Sequence, residues 1–220
     1  MQNLRLLSEL QRLLLIPVAM TAPFTLTRER DCAILRLTSP DQTNKLSLAV
    51  ITSLTTCVAG LRIEAERGAI RSLIVTGNDR FFSAGADLNE ISRLSGPEAL
   101  AFARLGQKFT DLLNRFPVPV IAAIRGYCMG GGMDLALACG YRIAAPGAIF
   151  GHRGASLGLI TGWGGTQRLP RLTGKARALQ MFLLAEKITA EEALRIGLVN
   201  GLSSDPVRQA IAKVEDALTG

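Results

Sequence analysis

The sequence has few of the residues that build metal sites and disulfides. It contains one histidine and four cysteines, and no two cysteines form a C-x-x-C pair. Zinc sites need clustered His, Cys or acidic ligands, so no metal site is expected. Cysteines without a disulfide pattern are typical of reduced thiols, which indicates a cytoplasmic protein.

Signatures of nucleotide and nucleic-acid binding are also missing. The chain has neither a Walker A motif nor a complete dinucleotide-binding fingerprint, so ATP and NAD are not implied. Its formal net charge of +7 would attract phosphate, but the Lys and Arg residues are scattered and aromatic residues make up only 5% of the chain. Nucleic acid is therefore not an expected partner.

The N-terminal segment has no apolar run long enough to cross a membrane. The first twenty residues are leucine-rich and amphipathic, but their uninterrupted apolar core, residues 13–16, ends at Pro17. Such a run is too short for a transmembrane helix and weak for a secretory signal. We expect residues 1–20 to form an appended or loosely packed helix, and we expect no membrane partner.

The rest of the chain has an ordinary globular composition. Its 220 residues are 48% hydrophobic and 20% charged, enough for one sizeable core and one domain. Apolar periodicity predicts strands alternating with helices, which favours an α/β core. The predicted strands are a hairpin around residues 30–31, then 71–76, 118–124 and 141–144. The predicted helices are 47–66, 97–116, a short one at 133–138, 174–184, 189–196 and 205–218.

Two glycine-rich segments each follow a predicted buried strand. Residues 82–88 read FSAGADL, and residues 126–135 read GYCMGGGMDL. Each is interpreted as a backbone turn at the exit of its strand, since glycine permits tight turns and close approach. The alternative interpretation is that these glycines only allow a helix and a strand to pack closely. Two such turns could direct two peptide N–H groups at one oxygen and form an oxyanion hole.

Four motifs occur together in the order and spacing of a known family. They are residues 83–88, 119–134, 162–169 and 190–199. On these motifs the chain, from about Phe24 to about Leu202, resembles the enoyl-CoA hydratase/isomerase (crotonase) superfamily. The resemblance implies an α/β fold of the ClpP/crotonase type, built from repeated β-β-α units and here shortened at the C-terminus.

The resemblance also implies a substrate and the residues that hold it. The substrate would be an acyl-CoA thioester, with no cofactor, and its thioester oxygen would accept hydrogen bonds from the N–H groups of Ala86 and Gly131. A basic surface would suit the anionic CoA. The substrate-binding positions implied by the family are Ser83, Ala84, Ala86, Asp87, Leu88, Tyr127, Gly130 and Gly154.

The acid/base residues depart from the family pattern. Family hydratases use two glutamates, and the matching positions are Asp134, which is shorter by roughly 1.5 Å, and Gly154, which has no side chain. His152 lies on the same loop and is a second candidate for proton transfer, with a structural role as its alternative. Gly154 could also leave room for a small anion such as bicarbonate.

These departures leave several functions open. Hydration/dehydration of an enoyl-CoA, or isomerisation of its double bond, is the main hypothesis. A decarboxylase or ring-forming enzyme would use the same oxyanion hole without two glutamates. A non-catalytic acyl-CoA-binding subunit is the alternative of a different class.

The resemblance divides the chain into three parts. Residues 1–20 are an extension that precedes a second candidate start at Met20, residues 21–203 are the acyl-CoA-binding core, and residues 204–220 form a short C-terminal helix. Family members assemble as trimers or hexamers, so a homotrimer or hexamer is expected. A single predicted helix follows Val199, so we expect the acyl pocket to be more open than in family members with several helices there.

Overall fold

Short strands and helices alternate along the whole of the described chain. The structure is a computed structural model, and it describes residues 22–219. The expectation for residues 1–20 therefore lies outside the described residues. The strands are β1 (Phe24–Glu29), β2 (Cys32–Leu37), β3 (Lys45–Leu46), β4 (Ser72–Thr76), β5 (Phe81–Ser83), β6 (Gly85–Ala86), β7 (Val120–Ile124), β8 (Tyr127–Met129), β9 (Tyr141–Ala144), β10 (Ile149–Gly151), β11 (Lys187–Thr189) and β12 (Gly201–Leu202).

The helices lie between these strands, in the places that the apolar periodicity predicts with two exceptions. They are α1 (Leu48–Glu66), α2 (Leu88–Ile91), α3 (Gly96–Asn114), α4 (Gly131–Ala138), α5 (Gly165–Thr173), α6 (Lys175–Leu183), α7 (Ala190–Arg195) and α8 (Pro206–Thr219). A 3₁₀ turn covers Gly154–Leu157. Helices α2 and α5 are absent from the sequence prediction.

The larger sheet has six strands in the order β1-β2-β4-β7-β9-β12. Only the β1–β2 hairpin is antiparallel, and it turns at Arg30, whose φ is +54°. The other pairs are parallel. Every residue of β4 and β7 is buried, as expected for parallel strands covered on both faces. The hairpin and the strands predicted at 71–76, 118–124 and 141–144 are therefore confirmed.

Helices cover the two faces of this sheet. Helix α1 packs its fully buried Leu54 and Val58 into the main core, beside α3. Among the described helices α1 alone is long and apolar enough to cross a membrane, by length and composition only. Helix α8 packs Ala210 and Ile211 against the opposite face of the sheet. The C-terminal helix therefore packs directly on the sheet.

A second, smaller sheet corrects the interpretation of the glycine-rich segments as simple turns. Its order is β11-β10-β8-β5; β8 lies inside the second glycine-rich segment, and β5 overlaps the start of the first. These two strands pair in parallel, with Ser83 opposite Cys128. Strand β6 also pairs in parallel with β3. The two segments are therefore joined directly by backbone pairing.

Asn44 fixes the loop that leads into the first glycine-rich segment. It is buried, and its φ of +52° lies in the left-handed region. Its side-chain oxygen accepts from the Ser39 N–H at 3.0 Å, and its amide donates to the carbonyls of Phe81 at 2.8 Å and Phe82 at 3.3 Å. One side chain therefore ties β5 to the preceding loop.

Replacing Asn44 by alanine should destabilise the protein by about 2–4 kcal/mol, measured by urea denaturation. The substitution leaves buried backbone groups without partners and puts alanine in a disfavoured backbone region. Gln42→Ala is the control, since Gln42 is exposed and has a φ of +57°. We expect that control to change the free energy of unfolding by less than about 0.5 kcal/mol. Equal stability of Asn44→Ala and Gln42→Ala would contradict this role.

Candidate functional site

A cavity of about 280 Å³ opens beside the two glycine-rich segments. Its wall is mainly apolar and includes Leu94 and Phe102 together with backbone of the glycine-rich segments. The structure brings together at this cavity most of the residues that the sequence singles out. Those that line it are Ala84, Ala86, Leu88, Gly130, Gly131, Asp134, His152 and Gly154.

Three of the predicted substrate-binding residues do not line the cavity. Ser83 is fully buried, and its hydroxyl donates to the Asn44 carbonyl at 2.7 Å and accepts from the Gly85 N–H at 3.1 Å. Asp87 caps α2 by accepting from the Asn89 N–H at 2.9 Å. Tyr127 is partly exposed, and its ring is tilted against that of Phe81, with the ring centroids 5.3 Å apart. Contact of these residues with substrate stays a prediction.

The two glycine-rich segments approach each other so closely that a side chain would not fit between them. Gly85 has a φ of +95°, and a Cβ there would lie 2.9 Å from the backbone nitrogen of Gly131 and 2.7 Å from the Met129 carbonyl oxygen. A Cβ on Gly132 would lie 2.6 Å from the Ser83 Cβ. Glycine is therefore required where β6 meets the start of α4.

Gly131 is the first residue of α4. The preceding Gly130 has a φ of +50°, and its N–H donates to the Gly151 carbonyl at 2.9 Å. The first N–H groups of a helix have no intrahelical acceptor, and the helix dipole makes this end favourable for negative charge. The Trp163 ring covers Gly131, since a Cβ there would meet Cζ3 at 2.3 Å. This packing orients the N-terminus of α4 towards the cavity.

Asp134 and His152 form a buried polar pair at the cavity wall. Only 1% of Asp134 and 3% of His152 is exposed. The Thr161 hydroxyl donates to Oδ2 of Asp134, whereas Oδ1 lies 3.5 Å from Nε2 of His152 and has no hydrogen-bond partner within the described structure. Both ring nitrogens of His152 also lack a partner there. Buried polar atoms without partners are costly and are typical of functional sites.

Burial perturbs both members of this pair. It raises the pKa of Asp134 to about 6, although the Thr161 hydroxyl, nearby backbone N–H groups and the Arg168 charge lower that pKa in part. Burial lowers the pKa of His152 to about 4. At neutral pH the aspartate is therefore mostly ionised and the histidine is neutral. A buried carboxylate with a pKa near working pH suits proton transfer.

Gly165 makes room for this pair. A Cβ on Gly165 would lie 2.1 Å from Oδ1 of Asp134 and 3.1 Å from Nε2 of His152. Gly165 is the first residue of α5 and follows Gly164, whose φ is +102°. The glycines of this motif therefore let α5 begin directly against the carboxylate.

Backbone lies close to Gly154 on the side where a side chain would extend. A Cβ built at this position would meet the Leu159 carbonyl oxygen at 2.5 Å and the Ile160 Cα at 3.6 Å. The direction in which a glutamate would extend is therefore filled by backbone. Gly154 itself lines the cavity, and binding of a small anion beside it stays a prediction.

Three residues near the pair were not assigned a role from the sequence. Thr161 binds Asp134, Trp163 covers Gly131, and Gly165 borders the carboxylate. They belong to the motif 162–169 or directly precede it, so the family motif was the only available signal. Within residues 22–219, no three His, Cys, Asp or Glu side chains are placed to hold a metal ion.

Comparisons with known proteins point to one family. A family model described as enoyl-CoA hydratase/isomerase matches residues 27–215. Crotonyl-CoA hydratase of Syntrophomonas wolfei is 42% identical over 176 residues, which cover 80% of this chain and 66% of that protein. A probable enoyl-CoA hydratase of Bacillus subtilis is 42% identical over 177 residues, covering 80% and 67%. The chain thus spans about two thirds of the length of these curated relatives.

Solved structures give the same result. Pseudomonas aeruginosa DspI superposes with a TM-score of 0.85 at 33% identity, covering 94% of this chain and 84% of that one. Enoyl-CoA hydratase from Bacillus anthracis has a TM-score of 0.84 at 33% identity, covering 90% and 77%. The predicted family and fold are therefore confirmed.

Gly165→Ala should lower the free energy of unfolding by about 1–3 kcal/mol, because the added methyl group overpacks the buried pair. Gly162→Ala is the matched control three residues away. A Cβ there would lie 3.7 Å from the Ala103 Cβ, an ordinary contact, so we expect a change below about 0.5 kcal/mol. Urea denaturation of both variants measures the difference. A Gly165→Ala protein as stable as Gly162→Ala would show that the site is not packed as described.

Proposed function

Since the chain belongs to the enoyl-CoA hydratase/isomerase family, we propose that it binds an acyl-CoA thioester and stabilises the thioester enolate. The oxyanion hole consists of the N–H groups of Ala86 and Gly131. One observation carries the proposal: a single cavity is lined by both of these residues and by the buried carboxylate of Asp134. The names of the relatives support the substrate class.

The oxyanion hole acts on charge that appears only during the reaction. Attack on C3 of a 2-enoyl thioester, or loss of a proton next to its carbonyl, moves an electron pair onto the thioester oxygen. Two fixed N–H donors stabilise this oxygen more as the charge grows, which accelerates the chemical step. The start of α4 at Gly131 adds the favourable field of a helix N-terminus.

Asp134 is the proton-transfer residue. In hydration it accepts a proton from water as the water oxygen bonds to C3, and that same proton returns to C2 of the enolate. Asp134 itself holds the proton between these steps, because burial lowers the pKa of His152 to about 4 and leaves that ring neutral. The neutral imidazole lies beside the carboxylate, with its Nε2 3.5 Å from Oδ1 of Asp134. Dehydration is the reverse sequence, so one carboxylate beside a neutral imidazole replaces the two glutamates of family hydratases.

Double-bond isomerisation is the second candidate. It needs only one group that removes a proton from one carbon and returns it to another, and Asp134 is the one carboxylate that lines the cavity within the described chain. Decarboxylation of a malonyl-type thioester is less favoured, because its substrate carboxylate would lie close to ionised Asp134. Arg153 is the single cation on the described wall that could balance it.

The proposal extends to cofactor, assembly and compartment. The thioester is the substrate and no additional cofactor takes part, as the family implies. We propose a homotrimer or hexamer located in the cytoplasm. An oligomer is supported by apolar side chains that are strongly exposed in the single chain, since such surfaces are typical of subunit contacts. They include Ile160 at 71%, Leu183 at 67% and Leu184 at 68% exposed.

Incubation with CoA thioesters in deuterated water tests the proposed reaction. A hydratase adds water to a 2-enoyl-CoA and leaves deuterium at C2 of the 3-hydroxyacyl product. An isomerase converts a 3-enoyl-CoA into a 2-enoyl-CoA without adding water. Mass spectrometry and ultraviolet absorbance follow both, while a malonyl-CoA assay detects carbon dioxide. Release of carbon dioxide alone, or binding of thioesters without hydration or isomerisation, would contradict the proposal.

Asp134→Asn links that reaction to the cavity. We expect it to lower kcat by about 10²–10⁴-fold, since an amide cannot accept the proton, while thioester binding is largely retained. Asp79→Asn is the matched control, because the Asp79 side chain is 92% exposed. The control should keep the wild-type rate. Equal rates for the two variants would remove Asp134 from the mechanism.

A further inference from the structure

We propose that Thr161 is a positioning residue: its hydroxyl holds Oδ2 of Asp134 and so fixes the orientation of the carboxylate at the cavity. The inference rests on the proposed function of Asp134. The two oxygens of the carboxylate have different surroundings in the structure. Oδ2 accepts the hydrogen bond from Thr161, whereas Oδ1 has no partner within the described chain and lies beside Nε2 of His152.

A carboxylate that is held at one oxygen cannot exchange the roles of its two oxygens. Asp134 is shorter than the glutamate of family hydratases, so the placement of its reactive oxygen depends on its rotamer. The Thr161 hydrogen bond selects one rotamer of this carboxylate. Small misplacements of a proton-transfer group cost large factors in rate, which is why a fixed carboxylate matters for turnover.

Thr161 is itself held firmly against α3. The next carbonyl along the chain, that of Gly162, accepts from Gln107 Nε2 at 2.8 Å. The Trp163 carbonyl accepts from Thr110 Oγ1 at 2.9 Å. The Thr161 methyl group packs on Gly165, where a Cβ would lie 2.9 Å from it. A β-branched side chain in this setting keeps one rotamer, so the hydroxyl stays directed at Asp134.

The neighbouring charged and titratable groups do not interfere with a measurement of how activity depends on the ionisation of Asp134. His152 is neutral above about pH 5, because burial lowers its pKa to about 4. Burial raises the pKa of the Cys128 thiol, which therefore stays protonated. Arg168 is paired with Asp111 at 2.6 Å. Between pH 5 and 8, Asp134 is the group in this set that changes its charge.

The sign of the expected effect follows from the hydrogen bond. The Thr161 hydroxyl stabilises the ionised carboxylate and lowers the pKa of Asp134. Removing the hydroxyl therefore raises this pKa and favours the protonated form, which cannot accept a proton. The acid limb of the kcat/KM profile should move to higher pH, from near 6 in the wild type.

Thr161→Val and Thr161→Ser test the inference as a pair. Valine keeps the methyl packing and loses the hydroxyl, whereas serine keeps the hydroxyl and loses a methyl group. We expect Thr161→Val to move the acid limb upward by about one pH unit and to lower the plateau of kcat by about tenfold. Thr161→Ser should restore both values to near those of the wild type. A merely structural role for Thr161 would lower activity without moving the limb.

A direct titration makes the test independent of turnover. With ¹³C-carboxyl aspartate labels, the Asp134 signal is identified by its loss in Asp134→Asn, and its midpoint is compared in wild type and Thr161→Val. Thr161→Ala carries the same expectation should valine prevent folding. The role of Thr161 would be overturned if the wild type is active and Thr161→Val and Thr161→Ala keep its acid limb of kcat/KM and its Asp134 titration midpoint. A wild type that turns over no thioester would overturn the proposed function instead.

Discussion

The site depends on one close contact between two stretches of backbone. Strand β5 pairs with β8, and this pairing brings Gly85 against the nitrogen of Gly131, where a side chain would not fit. Ala86 and the start of α4 therefore reach the same cavity from opposite sides. Buried Ser83 and Asn44 secure the first segment through hydrogen bonds to backbone. Without this contact, no arrangement of acids and bases would act on a common thioester.

The long elements of this fold could be predicted from the sequence, and the short ones could not. Strands β4 and β7 are continuous apolar runs, and α1 and α3 are long enough to show helical periodicity. Strands of three residues, such as β5, β8 and β10, are too short to show a period. In addition, β5 and β8 lie close to glycines in the sequence, which are typical of turns. Helix α5 was missed because it begins at Gly165 and contains Pro170, both of which are typical of turns.

In the site, likewise, the sequence indicates individual residues, whereas the contacts between distant residues are seen only in the structure. Family motifs indicate Asp134 and His152, and the structure places both on one cavity wall. The hydrogen bond from Thr161 joins residues 27 positions apart, so no local pattern could reveal it. At Gly154 the sequence shows a missing carboxylate, while the fold shows that backbone fills the direction of the side chain. The result is a site with one buried carboxylate, a neutral imidazole and a hydroxyl that orients the acid.

The central claim concerns where a thioester oxygen binds. A crystal structure with an unreactive acyl-CoA thioester measures this directly. The account predicts that the carbonyl oxygen lies about 2.7–3.1 Å from the backbone nitrogens of both Ala86 and Gly131. A well-ordered thioester whose oxygen contacts neither nitrogen, or only one of them, would contradict it.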